Sequence, residues 1–230
     1  MIYKMNKVVI ALVLLLTVST NLNAQIAKWD STYRPSKYAE QVANFKSDPA
    51  FSKKDIVFLG NSITAGTNWS TLLNLPQAKN RGISGDITYG VLERLQEVID
   101  RKPAKVFILI GINDISRNIP DSLILSNYKK MIERIRKGTK KTQIYFYTLL
   151  PVNASFGKFK NHYGKDEHIL FINSEIRKLN AKNVKVIDLY PLFLDKENHL
   201  KAELTKDGLH LLPEGYKVWA DFLNKEKYLR

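Results

Sequence analysis

Asp55-Ile56-Val57-Phe58-Leu59-Gly60-Asn61-Ser62-Ile63-Thr64 passes within ten residues from an unbroken apolar run, through a glycine, to a polar turn. Four consecutive apolar residues with no polar alternation describe a strand buried on both faces, the pattern of a parallel sheet covered by helices. Gly60 ends the strand. The same pattern recurs along the chain: Val106 to Ile110 stops at Gly111, Gln143 to Leu150 stops at Pro151, and Val184 to Leu189 stops before Pro191. A shorter strand leads into Asn80-Arg81-Gly82.

Helical stripes fill the intervals. Tyr38, Val42 and Phe45 mark a first helix. Beyond the opening turn, Thr64 to Leu73 reads as a helix, and Val91, Leu92, Leu95, Val98 and Ile99 form an apolar stripe closed by Pro103. Ile124, Tyr128, Met131, Ile132 and Ile135 form another, stopped by Gly138. Ile169, Ile172, Ile176 and Leu179 make a third stripe, and Tyr216, Trp219 and Leu223 the last. Apolar strands alternating with amphipathic helices predict a three-layer α/β/α domain over residues 25–230, with no interdomain linker. In such sheets ligands bind beyond the carboxyl ends of the strands. Ser62, Gly82 and Asn113 each follow a strand, and Asp207 and His210 precede the last helix.

The bulk properties fit one globular domain: 230 residues, 44% hydrophobic and 25% charged, with no cysteine and hence no disulfide. The first 24 residues read differently. Lys4 and Lys7 precede an apolar run from Val8 to Val18, and Ala24 is a small residue before Gln25, the layout of a cleaved secretory signal. That run is about half the ~20 residues a membrane span needs. The expectation is therefore an exported protein, periplasmic or extracellular, with no integral span in its mature form. The net charge is +14. Its lysines are scattered, with no run of five and no nucleic-acid motif, so no nucleic-acid partner is expected. Oligomeric state is not legible.

The chemistry lies in four segments. Ser62 sits at a strand-to-helix turn, where an oxyanion would meet backbone amides; taken alone, such a serine reads more readily as a helix cap than as a nucleophile. A serine nucleophile needs a base. Of His162, His168, His199 and His210, only His210 has a carboxylate, Asp207, three residues upstream and a helix just beyond. His162, in a polar loop, His168, at a helix start, and His199, among surface charges, read as solvated. The tetrahedral transition state of ester hydrolysis needs donors for its oxygen. The amides of Ser62 and Gly82 and the side-chain amide of Asn113 are the candidates, Gly82 because nothing projects between its backbone and a substrate.

Together these residues resemble the SGNH hydrolases, or GDSL-type esterases. Gly60-Asn61-Ser62-Ile63-Thr64 is similar to the first block, with asparagine where the name-giving motif has aspartate. Gly82 falls in the second block, Gly111-Ile112-Asn113-Asp114 in the third, and Asp207-Gly208-Leu209-His210 in the last. The likeness runs from Ile56 to Trp219. It implies a flavodoxin-like five-stranded parallel sheet of order 2-1-3-4-5, and hydrolysis through an acyl-enzyme on Ser62 without metal or cofactor.

Asn80-Arg81-Gly82-Ile83-Ser84-Gly85-Asp86 resembles the branch of platelet-activating-factor acetylhydrolase-like and bacterial carbohydrate acetylesterase-like proteins. The resemblance implies removal of short acyl groups, acetyl above all, from a small-molecule or glycan ester. Two alternatives stand beside it: a lysophospholipase or thioesterase for longer chains, and a catalytically silent glycan-binding protein. The stretch Val152 to Asp166, with Phe156, Phe159, His162 and Tyr163, is either a substrate wall or a plain surface loop.

Overall fold

The structure, a computed structural model, describes residues 29–48 and 52–230. The leader expected over residues 1–24 lies outside the described residues. Five strands form one sheet: β1 (Ile56–Gly60), β2 (Ala78–Gly82), β3 (Lys105–Leu109), β4 (Gln143–Tyr147) and β5 (Val184–Ile187). Every pairing is parallel and the order is β2-β1-β3-β4-β5, as expected. All five residues of β1 are buried. Gly60 lies in register with Gly82 on one side and Leu109 on the other, so three strands end together at one rim.

Helices cover both faces. They are α1 (Tyr38–Ser47), α2 (Ser62–Ala65), α3 (Trp69–Leu73), α4 (Thr88–Arg101), α5 (Ile112–Ser116), α6 (Asp121–Gly138), α7 (Asp166–Arg177) and α8 (Pro213–Lys225). One face of the sheet is an aromatic layer: Phe58, Phe107 and Tyr145 occupy equivalent positions in β1, β3 and β4. Their rings stack at 5.0 Å and 4.4 Å. Trp69 of α3 stacks on Phe58 at 4.0 Å, and Trp219 of α8 meets Trp69 and Tyr147 edge-on, each at 5.0 Å. Aromatic pairs of this kind add to the area they bury, and they tie α3 and α8 to the sheet just below the rim.

One helix is shorter than its pattern implies. The helix expected over Thr64 to Leu73 is broken at Gly66-Thr67-Asn68 into α2 and α3. Side chains take the carbonyls that a continuous helix would have used. Trp69 Nε1 and Asn80 Nδ2 donate to Thr64 O at 2.9 and 3.0 Å, Asn80 Nδ2 also donates to Thr67 O at 2.9 Å, and Tyr216 Oη donates to Ile63 O at 2.8 Å. Asn68 then caps α3, accepting from Thr71 N. A four-residue helix carries little macrodipole, so an oxyanion beside Ser62 depends on individual N–H groups.

A buried ion pair fixes the rim. Arg94 of α4 pairs with Asp86 at 2.9 Å and donates to Arg81 O and Gly60 O, the penultimate carbonyl of β2 and the last of β1. Its place beside the Val91–Leu95–Val98 stripe turns a charged side chain inward.

Candidate active site

The turn after β1 divides two tasks between adjacent residues. Asn61 Oδ1 accepts from Ile63 N at 3.0 Å, so Asn61 is the cap of α2. That leaves the Ser62 hydroxyl free to donate to His210 Nε2, 2.9 Å away across 148 positions of sequence. Ser62 is therefore not the helix cap.

His210 is held from its other side. Its Nδ1–H donates to Asp207 Oδ2 at 2.9 Å, while Asp207 Oδ1 accepts the backbone amides of Leu209 and His210 at 3.1 and 2.7 Å. Burial pushes the Asp207 carboxyl up, but the hydrogen bonds from His210 and Leu209 outweigh it and hold the group below the ordinary carboxylate range. The Asp207 carboxylate thus stays ionised where it orients the imidazole. Such a Ser–His–Asp chain is the arrangement that activates a serine hydroxyl for acyl transfer.

Asn113 lies in the first turn of α5, buried, with its Nδ2 donating to Asp86 O at 2.9 Å. That bond sets the Asn113 amide beside the turn 83–86, which is closed by Asp86 N donating to Ile83 O. Ser84 in this turn lines the same cleft as Ser62 and His210. Gly85 has φ +80°, a conformation that favours glycine, and among the described residues its amide has no hydrogen-bond acceptor.

Gly82 departs from expectation. Its amide donates to Asn80 Oδ1 at 2.8 Å. A Cβ at Gly82 would stand 2.3 Å from Ala65 N and 2.8 Å from Asn61 O, so glycine is required there because α2 packs on it. The residue seats the nucleophile's turn, and the Gly85 amide, without an acceptor among the described residues, lies three residues further on beside Ser84 of the cleft lining.

The stretch after β4 is part of the site. Phe159 lines the cleft and meets the His210 ring edge-on at 4.9 Å. Tyr163 Oη donates to Asp207 O at 2.9 Å, and Asn153 N donates to Gly208 O at 2.8 Å, so the segment braces the Asp207–His210 loop. His162 is not solvated: its Nε2 lies 3.0 Å from Asn113 Oδ1. His168 stays at the surface, paired with Asp121, and His199 is exposed. Gly85 lies in the segment 80–86, where nothing in the sequence separates it from Gly82, and no sequence motif marks Phe159 or His162 as site residues. The one available signal was the aromatic content of 152–166.

The catalytic cleft holds about 470 Å³. A larger one, about 610 Å³, adjoins it and shares Ala65 and Gly66. The larger cleft is lined by Thr67, Asn68, Ser70, Lys79 and Asn80 among others, and holds no serine–histidine pair. Among the described residues no group of three or more His, Asp or Glu side chains is arranged to hold a metal ion, and no helix is long and apolar enough to cross a membrane.

Comparison with known proteins agrees with this geometry. The profile of the GDSL-like lipase/acylhydrolase family matches residues 58–218. An arylesterase of Vibrio mimicus is 29% identical over 76% of this chain and 88% of its own length. The platelet-activating factor acetylhydrolase IB subunit alpha2 of Rattus norvegicus is 24% identical over 78% and 79%. Among solved structures, a candidate acylhydrolase from Bacteroides fragilis superposes with TM-score 0.72 at 26% identity, covering 86% of this chain and all of that one.

Proposed function

The chain belongs to the GDSL-like lipase/acylhydrolase family and is an ester-hydrolysing enzyme, and from the geometry of its site we propose how it works and on what. Ser62 Oγ attacks the ester carbonyl while its proton passes to His210 Nε2. The carbonyl oxygen becomes an oxyanion held by Ser62 N, Gly85 N and Asn113 Nδ2. Collapse of the tetrahedral intermediate expels the alcohol, which takes the proton from His210, and leaves an acyl group on Ser62. Water, deprotonated by the same imidazole, repeats the attack and releases the acid. The observation that carries this reading is the unbroken chain Ser62 Oγ–His210–Asp207, with both links at 2.9 Å. An assembled nucleophile and base leave a silent binding protein without support.

The proposed substrate is a short acyl ester, acetate first, on a carbohydrate. Support comes from the two adjoining clefts, whose shared edge at Ala65 and Gly66 continues the catalytic cleft into a trough of hydroxyl, amide and charged groups, Asp48, Lys79 and Arg81 among them. Lys206 adds an ammonium to the catalytic lining, which suits an acidic glycan. A long alkyl chain would gain little from the polar trough beyond Ala65 and Gly66. Export through the 1–24 leader belongs to the same proposal and is read from the mass of the mature chain, which should begin at Gln25.

The test is a series of p-nitrophenyl esters together with acetate release from acetylated acidic and neutral glycans. The proposal requires a sharp preference for acetate over octanoate and measurable acetate release from glycan. Activity rising toward octanoate would replace it with the long-chain reading.

A further inference from the structure

We propose that His162 is a positioning residue for Asn113: by donating Nε2–H to Asn113 Oδ1 it fixes which end of that amide faces the oxyanion. The inference rests on the serine-esterase reading above.

Asparagine is an ambiguous donor. The two ends of its amide are nearly equal in size and opposite in hydrogen-bonding sense. In one orientation Nδ2 offers protons to a developing oxyanion. Flipped by 180°, the same side chain puts a carbonyl oxygen there and repels it. A donor of this kind is dependable only if both ends are held.

Both ends are held here, and the polarity is imposed from outside. Nδ2 donates to Asp86 O, a backbone carbonyl that can only accept. That leaves Oδ1 facing His162 Nε2 at 3.0 Å, so the imidazole must carry its proton on Nε2. The chain His162 Nε2–H, Asn113 Oδ1, Asn113 Nδ2–H, Asp86 O therefore runs in one direction only. The remaining imidazole nitrogen fits this assignment: Nδ1 is buried and has no hydrogen-bond partner among the described residues, as a bare lone pair tolerates better than a stranded N–H would.

The surroundings keep the ring in this state. Burial first, and then the charges of His210, Lys165 and Arg117, hold His162 down to about 4, so it stays neutral where the enzyme works. Phe159 meets the rings of both His162 and His210 edge-on, at 5.8 and 4.9 Å. Lys165 donates to Ile115 O and Ser116 O in α5, anchoring the histidine's segment to the helix that carries Asn113.

Three variants and one double variant test the proposal with p-nitrophenyl acetate. Asn113→Ala should lower kcat by roughly 10²–10³-fold, the cost of losing one oxyanion donor. His162→Leu should lower kcat by about tenfold or more with KM within about twofold, since the amide acts in the transition state. His162→Gln, whose terminal NH2 can reach Oδ1, should recover most of the loss. In the Asn113→Ala background, His162→Leu should cost almost nothing further. Thermal melts of each variant separate a folding defect from a catalytic one. Wild-type kcat in His162→Leu, or an equal loss in both backgrounds, overturns the positioning role while the esterase reading stands. Absence of esterase activity in the wild type would instead remove the reading on which the proposal rests.

Discussion

Asn61 and Ser62 show how much one side-chain atom decides. A cap and a nucleophile at adjacent positions compete for the same role, and here Asn61 takes the cap, leaving the serine hydroxyl to His210. Aspartate at 61 would offer the same acceptor. Asn61→Asp should therefore keep both stability and turnover, whereas Asn61→Ala should lose about 1 kcal/mol in urea denaturation, the usual cost of a missing cap. Ser62, Asp207 and His210 were legible in the sequence because the i, i+3 spacing of Asp207 and His210 is local and the family blocks contain all three. Gly82 was misread for a physical reason. Residue type says that a glycine is present, but the direction of its N–H is a backbone property, and two glycines three apart in one segment cannot be told apart without it. His162 had no local signature; its role exists only because the 151–166 segment folds onto α5.

Elements meet at buried polar residues, which is where pH acts on them. Asp114 of α5 accepts Thr88 N and Thr88 Oγ1 at the start of α4, and Asn127 of α6 donates to the same Thr88 hydroxyl. Burial pushes the Asp114 carboxyl up from 3.8 to about 7 despite these bonds. Between those values the folded chain keeps a proton that the unfolded chain has released, so this carboxyl lowers stability progressively as pH rises through the window, and the loss is complete above about 7. Asp114→Asn removes that titration. Its stability relative to the wild type should improve from about pH 4 to about pH 7 and then level off, as read from denaturation midpoints across that range. A difference that does not change with pH would show that Asp114 does not titrate there. The α2–α3 break was illegible for a related reason: Gly66 and Asn68 permit it, but the groups that stabilise it, Asn80, Trp69 and Tyr216, reach in from β2, α3 and α8.

At the scale of the whole molecule, the sheet separates stability from chemistry. The aromatic layer of Phe58, Phe107, Tyr145 and Tyr147, capped by Trp69 and Trp219, lies along the strands, while the reacting groups stand at their carboxyl rim. Trp219→Ala should cost about 3–5 kcal/mol of stability, while the protein that remains folded should keep near-normal kcat; a specific loss of kcat would show that α8 positions the site. The layering could be read in advance because apolar runs and helical stripes alternate without interruption, whereas the strand order was legible only through the family resemblance. What could not be read was that the segment after β4 folds back to bring Phe159 and His162 to the same rim. The central claim is that Ser62 carries the acyl group. Its most direct measurement is intact and peptide mass spectrometry after reaction with a fluorophosphonate probe, alongside ester turnover of Ser62→Ala. One adduct is expected, located on Ser62, with labelling and turnover both abolished in the variant. Labelling at another residue, or turnover that persists in Ser62→Ala, would contradict the claim.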